Sequence, residues 1–258
     1  MKVVILAGGL GTRFAEETEV RPKPMIEIGG FPIIRHIMKQ YSHYGFNEFF
    51  LALGYKGEII KRYFLDYYHL SGDITINTSN GRLEAHENPQ CDDWLVHMFE
   101  TGERSMTGGR IKRLEAYLKD GTFMVTYGDG VSDIDVSKLL AFHKSHGKIA
   151  TITAVHPPAR YGEVVFDDEV SARFSEKPQT GEGWINGGFM VFEPAMFDYL
   201  KDDATILESD ALEHMAQDRQ LAAYTHTGFW QCMDTLREKK FLESLWQNGT
   251  APWKIWND

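Results

Sequence analysis

An apolar run at the start of the chain leads directly into a turn that contains three glycines. The run is Val3-Val4-Ile5-Leu6, and the turn reads AGGLGTR up to Arg13. A short apolar run bounded by turn residues is typical of a buried strand, and glycines let the backbone take positive φ and approach a ligand closely. The N–H groups of such a turn can converge on an anion, and Arg13 can hold a phosphate through two parallel hydrogen bonds. The sequence therefore predicts a phosphate-binding turn at the end of a strand.

Two common phosphate-binding loops do not match this turn. A Walker A loop needs a Lys directly after its last Gly, and none follows here. A dinucleotide-binding fingerprint that starts at Gly9 would place Phe14 where the third Gly belongs, which disfavours an NAD-dependent oxidoreductase. The segment instead continues to Pro22 and Pro24, which hold Lys23 between them in extended backbone. We therefore expect Lys23 to present its ammonium group from a stiff loop.

Composition limits the partners that the chain can have. The 258 residues carry a formal net charge of −10, and an acidic protein is poorly suited to bind nucleic acid or an anionic membrane. Two cysteines are too few for a disulfide framework or a zinc site. The apolar run at the start is too short for a signal peptide, and no run reaches the roughly 18 residues of a membrane helix. We expect a cytoplasmic protein that holds anionic ligands with local cations and metal ions.

Strand and helix patterns alternate through the first part of the chain. The patterns predict strands at 2–7, 48–53, 122–126 and 149–155, helices at 32–44, 58–68 and 135–146, and a hairpin at 73–86. Strands that alternate with helices of this length indicate a mainly parallel sheet. From residue 162 onward the prediction is β-rich, with segments at 163–166, 172–175 and 184–192 and closing helices at 208–216 and 236–246. The sequence therefore predicts an α/β fold with a Rossmann-like mixed, mainly parallel sheet flanked by helices and a β-rich second half.

The turn LAGGLGTR and the segment RPKPM resemble those of the sugar-1-phosphate nucleotidylyltransferases, which join a nucleoside triphosphate to a sugar 1-phosphate and release pyrophosphate. The resemblance covers nearly the whole chain and implies the nucleotide-diphospho-sugar transferase fold. It implies one domain over residues 1–258, with a nucleotide-binding half to about residue 150 and a sugar-binding half after it. It also implies that Arg13 and Lys23 are catalytic. The residues that it implies for nucleotide binding are Leu6, Ala7, Gly8, Gly9, Gly11, Thr12 and Gly128.

Two aspartates follow strand-like segments of the sequence. Asp129 lies in a Gly-Asp-Gly turn after a predicted buried strand, and Asp234 follows the aromatic segment FWQCM. Taken alone, Asp129 is equally compatible with a plain turn, and Asp234 with the N-cap of a helix that begins at Leu236. In the resembling family the corresponding aspartates hold a metal, although Leu236 stands where its members commonly have Gly. The resemblance thus implies that Asp129 and Asp234 bind Mg²⁺, which accepts one or two carboxylates together with phosphate oxygens.

A further pair of segments is expected to bind the sugar phosphate. A Glu-Lys-Pro segment alone is most often a surface turn, but an Asn-Gly-Gly segment follows it in the sequence. An amide side chain and bare backbone suit a ligand that is rich in hydroxyl groups. The resemblance implies that Glu176, Asn186 and Gly187 bind the hexose and that Lys177 binds its 1-phosphate.

The segment SMTGGRIKR is expected to select the base. Relatives that use UTP or dTTP place a Gln-rich stretch in this position, whereas this chain has Thr107-Gly108-Gly109-Arg110. Because a guanidinium group has only donors, Arg110 suits the N3 and O2 acceptors of cytosine, and a glycine carbonyl nearby can accept from the cytosine amine. Thr107, Gly108 and Arg110 are therefore expected to bind the base, although Arg110 is also compatible with an ordinary helix residue.

The whole set of motifs is similar to that of family members that transfer a cytidylyl group from CTP to glucose 1-phosphate. The resemblance implies direct attack without a covalent enzyme intermediate, and a product that supplies deoxysugars for cell-surface polysaccharides. It also implies a homo-oligomer, for which the aromatic C-terminus around Trp253 and Trp256 would suit an interface. Two alternatives remain open, a UTP- or dTTP-dependent enzyme of the same class and a non-catalytic nucleotide-sensing module.

Overall fold

The structure is a computed structural model that describes most of the chain. The described residues are 1–11, 14, 18–86, 91–158, 163–166, 172–175 and 183–257, with the backbone alone at 163–166 and 172–175. The strands are β1 Lys2–Ala7, β2 Glu27–Ile28, β3 Phe31–Pro32, β4 Glu48–Leu53, β5 Ile74–Asn77, β6 Arg82–Ala85, β7 Leu95–Glu100, β8 Phe123–Tyr127, β9 Gly130–Ser132, β10 Ala150–Val155, β11 Glu163–Phe166, β12 Ala172–Ser175, β13 Ile185–Phe192, β14 Leu221–His226 and β15 Trp230–Cys232. The α-helices are Ile33–His43, Gly57–Leu70, Thr107–Lys112, Glu115–Leu118, Val136–His146, Glu213–Gln217 and Leu236–Gln247, with 3₁₀-helices at Lys23–Met25 and Pro194–Tyr199 and a π-helix at Leu207–Leu212. None of the helices in these described segments is long and apolar enough to span a membrane.

A seven-stranded sheet forms the centre of the molecule, with the strand order β14-β10-β13-β8-β1-β4-β7. The pairs β1–β4, β1–β8, β4–β7 and β10–β14 are parallel, whereas β13 is antiparallel to both of its neighbours. The predicted mixed, mainly parallel sheet flanked by helices is confirmed. Strands β10, β13 and β14 come from the second half of the chain, so both halves contribute to one sheet. The division into a nucleotide-binding and a sugar-binding half stays a prediction.

Strand β1 lies inside the parallel part of the sheet because it is apolar on both faces. Val3 and Ile5 pack into the core on one face, and Val4 and Leu6 pack into the core on the other. Leu6 also pairs with Tyr127 at the end of β8. Because parallel strands end at the same edge of a sheet, the glycine-rich turn after β1 and the Gly-Asp-Gly turn after β8 leave the sheet side by side. This edge is where open α/β sheets bind their ligands.

The C-terminal segment completes the core on one face of the sheet. Trp253 is 0% exposed and Trp256 is 7% exposed. Both indole rings pack against the buried ring of His36, with centroid distances of 6.2 and 6.0 Å. These two tryptophans are therefore buried within the protomer and are not available for the subunit interface that the sequence suggested. The homo-oligomer itself stays a prediction.

Most of the predicted elements agree with the structure to within one or two residues, including the hairpin of β5 and β6. Strands β7 and β14 were not predicted. They form the two edges of the sheet, and most of their side chains are only half-buried, which removes the apolar pattern of a central strand. The helix predicted at 208–216 consists of the π-helix Leu207–Leu212 and the α-helix Glu213–Gln217.

Candidate active site

A cleft of about 560 Å³ opens where β1 and β8 end. It brings together residues that are distant in the sequence, from the glycine-rich turn, the loop after it, the segment before Thr107–Lys112 and the region after β15. The predicted site residues on its wall are Leu6, Ala7, Gly8, Gly9, Gly11, Lys23, Thr107, Arg110, Gly128, Asp129 and Asp234. Four further predicted residues, Thr12, Arg13, Glu176 and Lys177, lie outside the described residues.

The glycine-rich turn has the backbone that its sequence predicts. Gly11 adopts a φ of +64°, and a Cβ placed on it would lie 2.7 Å from the Thr18 side chain. The Gly11 carbonyl accepts hydrogen bonds from the Phe14 N–H and from the Thr18 hydroxyl, at 2.9 and 3.1 Å. A Cβ on Gly9 would meet no atom of the described residues within 4 Å, and Gly9 lines the cleft. The turn thus combines a fixed backbone with an accessible surface.

Arg110 is buried beneath this turn, with 4% of its surface exposed. Its Nη2 donates to the Gly8 carbonyl at 2.8 Å, and its Nη1 donates to the Thr101 hydroxyl at 2.8 Å and to the Gly102 carbonyl at 2.7 Å. A Cβ on Gly8 would lie 2.2 Å from Nη1, and one on Gly54 would lie 2.5 Å from the same atom. These glycines therefore leave the space that the guanidinium group fills. Burial lowers the pKa of Arg110.

This arrangement differs from the expected role of Arg110 as a reader of cytosine. That expectation placed its donors against the base, but both terminal nitrogens donate to oxygen atoms of the protein. The physical reason is that the carbonyl groups around the guanidinium are buried and need donors. The structure thus makes Arg110 a positioning residue for the glycine-rich turn, and base recognition by its side chain stays a prediction.

The two glycines before Arg110 serve helix packing. Gly108 and Gly109 are buried at the start of the helix Thr107–Lys112. A Cβ on Gly108 would lie 2.9 Å from the carbonyl oxygen of Thr205, and one on Gly109 would lie 2.5 Å from that of Asp203. Glycine is therefore required for the close approach of these backbones. Gly108, which was expected to bind the base, does not belong to the cleft wall formed by the described residues.

Lys23 lies between the two aspartates that were expected to bind metal. Its Nζ is 2.7 Å from Oδ2 of Asp129 and also donates a hydrogen bond to Oδ1 of Asp234. Burial lowers the pKa of Lys23, but the two carboxylates raise it by more, so that it lies above its ordinary value. The ammonium group is therefore charged and compensates the carboxylates.

The pairing of β9 with β15 brings the two aspartates together. Gly130 pairs with Cys232 in this ladder, and the Met233 N–H donates to the Asp129 carbonyl at 2.8 Å. The alternative of Asp234 as a helix N-cap does not hold, because Thr235 is the N-cap of the helix Leu236–Gln247. The Asp234 carboxylate is thereby directed to Lys23 and the cleft.

Tyr127 and Glu208 are among the residues of the cleft wall that the sequence reasoning did not assign. The Tyr127 hydroxyl donates to Oε1 of Glu208, and the Thr107 hydroxyl donates to Oε2 of the same carboxylate at 2.8 Å. Tyr127 directly precedes the Gly-Asp-Gly turn, which was a signal that it lies at the ligand-binding edge. Glu208 belongs to no recognisable motif, and only the fold places it in the cleft.

The Asn-Gly-Gly segment lies next to Tyr127 rather than on the cleft wall formed by the described residues. The Asn186 amide nitrogen is 3.5 Å from the Tyr127 hydroxyl, and the Gly187 carbonyl accepts from Nε1 of Trp230 at 2.7 Å. Gly188 has a φ of +83°, and a Cβ there would lie 2.4 Å from the Tyr127 ring. The roles of Asn186 and Gly187 in sugar binding stay predictions.

The sequence matches the family model described as nucleotidyl transferase over residues 2–258. The chain belongs to the nucleotidyl transferase family. The glucose-1-phosphate cytidylyltransferase of Salmonella typhi is 50% identical over 257 residues, which cover 99% of this chain and 100% of the relative. The probable glucose-1-phosphate cytidylyltransferase of Bacillus subtilis is 43% identical with the same coverage. The crystal structure of HddC from Yersinia pseudotuberculosis has a TM-score of 0.68 at 24% identity, over 95% of this chain and 99% of that chain, which shows the common fold.

Nucleotidyl transferases of this family generally use a divalent metal, and the donor set in the cleft fits one. Asp129 and Asp234 come close enough to contact a single ammonium group. The described residues hold no cluster of three or more His, Cys, Asp or Glu side chains that could bind a metal. A site with two carboxylates is instead suited to an ion that takes its other ligands from substrate phosphates and water.

Proposed function

We propose that this protein transfers a cytidylyl group from CTP to α-D-glucose 1-phosphate and releases CDP-glucose and pyrophosphate. The observation that carries the reaction class is the convergence of Lys23, Asp129 and Asp234 beside a glycine-rich turn, on one wall of the cleft. The choice of CTP and glucose is supported by the names of the relatives that are 50% and 43% identical along the chain. CDP-glucose would in turn supply the synthesis of cell-surface deoxysugars.

The reaction is a direct displacement at the α-phosphorus of CTP. An oxygen of the sugar phosphate forms a new bond to the α-phosphorus, while the bond from that phosphorus to the oxygen bridging to the β-phosphate breaks. Pyrophosphate leaves with the electron pair of the broken bond. Such a transfer depends on positioning and on compensation of charge rather than on a covalent enzyme intermediate.

Residues of the chain compensate the charge at each end of this displacement. Arg13 would hold the departing β- and γ-phosphates, and Lys23 would approach the transferred α-phosphate. Lys177 would hold the attacking 1-phosphate. Asp129 and Asp234 would hold Mg²⁺, which when bound neutralises charge on phosphate oxygens.

The backbone of the cleft wall would position the nucleotide and the sugar. The N–H groups of Gly8, Gly9 and Gly11 are suited to the triphosphate and the base, because the turn is fixed and Gly9 is open to the cleft. Glu176 and Asn186 would hold hydroxyl groups of the hexose, as the family resemblance implies.

Pyrophosphate release in the presence of glucose 1-phosphate and Mg²⁺ tests this function. CTP, UTP, dTTP, GTP and ATP are compared, and the sugar nucleotide formed is identified by mass spectrometry. We expect kcat/KM for CTP to exceed that for UTP by about 100-fold or more. The Asp129→Asn variant is the matched control for contaminating activity. A preference for UTP or dTTP would contradict the choice of base, and absence of turnover with every triphosphate would favour the nucleotide-sensing module.

A further inference from the structure

Glu208 is a carboxylate on the cleft wall for which the proposed displacement has no role. It lies in the π-helix Leu207–Leu212, near the end of the segment that packs on Gly108 and Gly109. π-Helical turns are rare in proteins as a whole, and those that occur are often found at functional sites. No Lys, Arg or His of the described residues forms an ion pair with Glu208. Its carboxylate therefore differs from those of Asp129 and Asp234, which are compensated by Lys23.

Two hydroxyl groups fix the orientation of this carboxylate. Burial, together with the charge of Glu208, raises the pKa of Tyr127, so the phenol stays protonated and donates to Oε1. The Thr107 hydroxyl accepts from the Leu207 N–H at 2.9 Å, which leaves its proton for Oε2 of Glu208. Each carboxylate oxygen thus has one donor from the protein.

The same carboxylate keeps acceptor capacity for a ligand. An ionised carboxylate has about four lone-pair positions, of which the two hydroxyl groups use two. A carboxylate repels phosphate, so the part of a ligand that meets Glu208 is uncharged and donates hydrogen bonds. In CTP and a sugar 1-phosphate, this description fits the hydroxyl groups of a sugar ring and the cytosine amine. The amine is already expected to donate to a glycine carbonyl of segment 107–110, which leaves the hydroxyl groups for Glu208.

The neighbours of Glu208 allow two sources for such a hydroxyl group. Tyr127 lies next to Asn186 and above Gly188, which belong to the segment expected to hold the hexose. Thr107 begins the helix whose Arg110 holds the glycine-rich turn, which places it on the nucleotide side. The hexose of the acceptor and the ribose of the triphosphate share the same chemistry here.

We propose that Glu208, oriented by Tyr127 and Thr107, accepts a hydrogen bond from a ring hydroxyl of a bound substrate sugar and makes the enzyme specific for that hydroxyl. This inference rests on the proposed function, because it needs a sugar phosphate and a nucleotide as ligands. It adds a carboxylate to the sugar-binding groups that the family resemblance implies. A site that is built to accept from a hydroxyl group discriminates strongly against a substrate that lacks it.

The experiment pairs Glu208→Gln with substrates that each lack one hydroxyl group. The substrates are the 2-, 3-, 4- and 6-deoxy forms of glucose 1-phosphate and the 2′- and 3′-deoxy forms of CTP. With the complete substrates, we expect Glu208→Gln to raise KM for one of the two about 10- to 100-fold, the range for a hydrogen bond to a charged group. With the one analogue that lacks the recognised hydroxyl, the KM values of wild type and Glu208→Gln for that analogue should agree within about threefold. This analogue identifies the hydroxyl group and the substrate that carries it.

Matched variants separate recognition from folding. Glu213→Gln changes an exposed carboxylate in the next helix and should leave all KM values unchanged. Tyr127→Phe and Thr107→Val each remove one orienting hydroxyl, so each should raise the same KM by about three- to tenfold; they test the proposal even if Glu208→Gln fails to fold. Equal losses of kcat/KM with every analogue would overturn the proposal. Absence of turnover by the wild type would instead overturn the proposed function, and this inference with it.

Discussion

Lys23 contacts two carboxylates that could hold a metal, which gives a single residue two tasks. Without ligands, its ammonium group compensates the charge of Asp129 and Asp234. A divalent cation at the same carboxylates would compete with the ammonium group for them. A nucleotide that arrives with its metal would therefore release Lys23 toward the α-phosphate.

This competition predicts the behaviour of Lys23→Met, which keeps the length of the side chain and removes its charge. We expect the variant without nucleotide to bind Mn²⁺ about tenfold or more tightly than the wild type in a titration followed by electron paramagnetic resonance, because a competing cation is gone. Its kcat should fall by about 100-fold or more while KM for the sugar phosphate changes little. Lys39→Met is the matched control, since Lys39 pairs with Asp92 at 2.6 Å and is not part of the cleft wall. Unchanged Mn²⁺ affinity in Lys23→Met would show that Lys23 does not compete with the metal. A kcat near that of the wild type would show that Lys23 does not act on the transferred phosphate.

Arg110 offers a test that separates positioning from base recognition. Arg110→Lys keeps the charge but loses the planar set of donors that holds Gly8, Thr101 and Gly102. We expect a loss of about 3 kcal/mol in the free energy of unfolding, because buried carbonyl groups lose their donors. We also expect kcat/KM to fall by a similar factor for every triphosphate. Arg62→Lys, at an exposed position of the helix Gly57–Leu70, should change neither quantity. A larger fall in kcat/KM for CTP than for UTP would show that Arg110 recognises the base.

The contrast between these residues shows which parts of the site a sequence can predict. Asp129 directly follows a strand with a clear apolar pattern, so its place at the edge of the sheet follows from that pattern. Lys23 and Asp234 were placed by the resemblance of their segments to those of a known family. Arg110 lines the cleft, but the partners of its guanidinium group depend on burial that only the complete fold creates. Glu208 has no local signal, because its place in the cleft depends on the packing of segment 203–208 on the Thr107–Lys112 helix.

At the level of secondary structure, the elements with a strong apolar pattern were predicted, and the two edge strands of the sheet were not. Strand β1 reads as a continuous apolar run because both of its faces are covered. Strands β7 and β14 have neighbours on one side only, so their sequences need not be apolar on both faces. The π-helix Leu207–Leu212 reads as an ordinary helix, since a change in hydrogen-bonding pattern leaves little trace in the order of apolar residues.

The close packing of two of these elements gives a prediction for Gly109→Ala. The added methyl group would meet the Asp203 backbone at 2.5 Å, so segment 203–208 must shift. We expect a loss of about 1–3 kcal/mol in a urea titration and a several-fold fall in kcat/KM, because Glu208 and Thr107 lose their alignment. Gly121→Ala is the control, since a Cβ there meets no atom of the described part of the chain within 4 Å. It should change stability by less than about 0.5 kcal/mol. Equal stability of the two variants would contradict this account of the Gly-Gly pair.

For the whole molecule, the surfaces left exposed bear on the predicted homo-oligomer. Large apolar side chains remain exposed near the end of the helix Gly57–Leu70 and on the hairpin of β5 and β6, namely Leu65, Leu70, Ile76 and Leu83. We expect sedimentation velocity to show an oligomer, and Leu70→Glu with Leu83→Glu to shift it to a lighter species, because charges oppose burial of that surface. Phe241→Glu alters an exposed residue of the C-terminal helix and is the control. Dissociation by the control alone would assign the interface to the C-terminus.

The ring of His36 joins the first helix of the fold to the C-terminal segment and makes the stability of the molecule depend on pH. Nε2 of His36 lies 2.9 Å from the Ile28 carbonyl, and Nδ1 accepts from Nε1 of Trp253 at 3.3 Å. The imidazole is therefore neutral, with its proton on Nε2. Protonation would direct a second donor at the indole N–H. Burial, and to a smaller degree the charge of Arg35, lowers the pKa of His36 to about 4.

The sign of the pH effect follows from this lowered pKa. Between pH 6.5, the ordinary value for His, and pH 4, the unfolded chain binds a proton that the folded protein excludes, so the free energy of unfolding falls as the pH falls. The loss reaches about 3 kcal/mol and ends below the folded pKa. We expect His36→Gln to be less stable than the wild type at pH 8 and to lose less stability across this interval. Urea titrations at pH 8, 6 and 4.5 measure both effects, with His214→Gln as the control at an exposed site. An equally steep pH dependence in His36→Gln would assign the acid sensitivity to other groups.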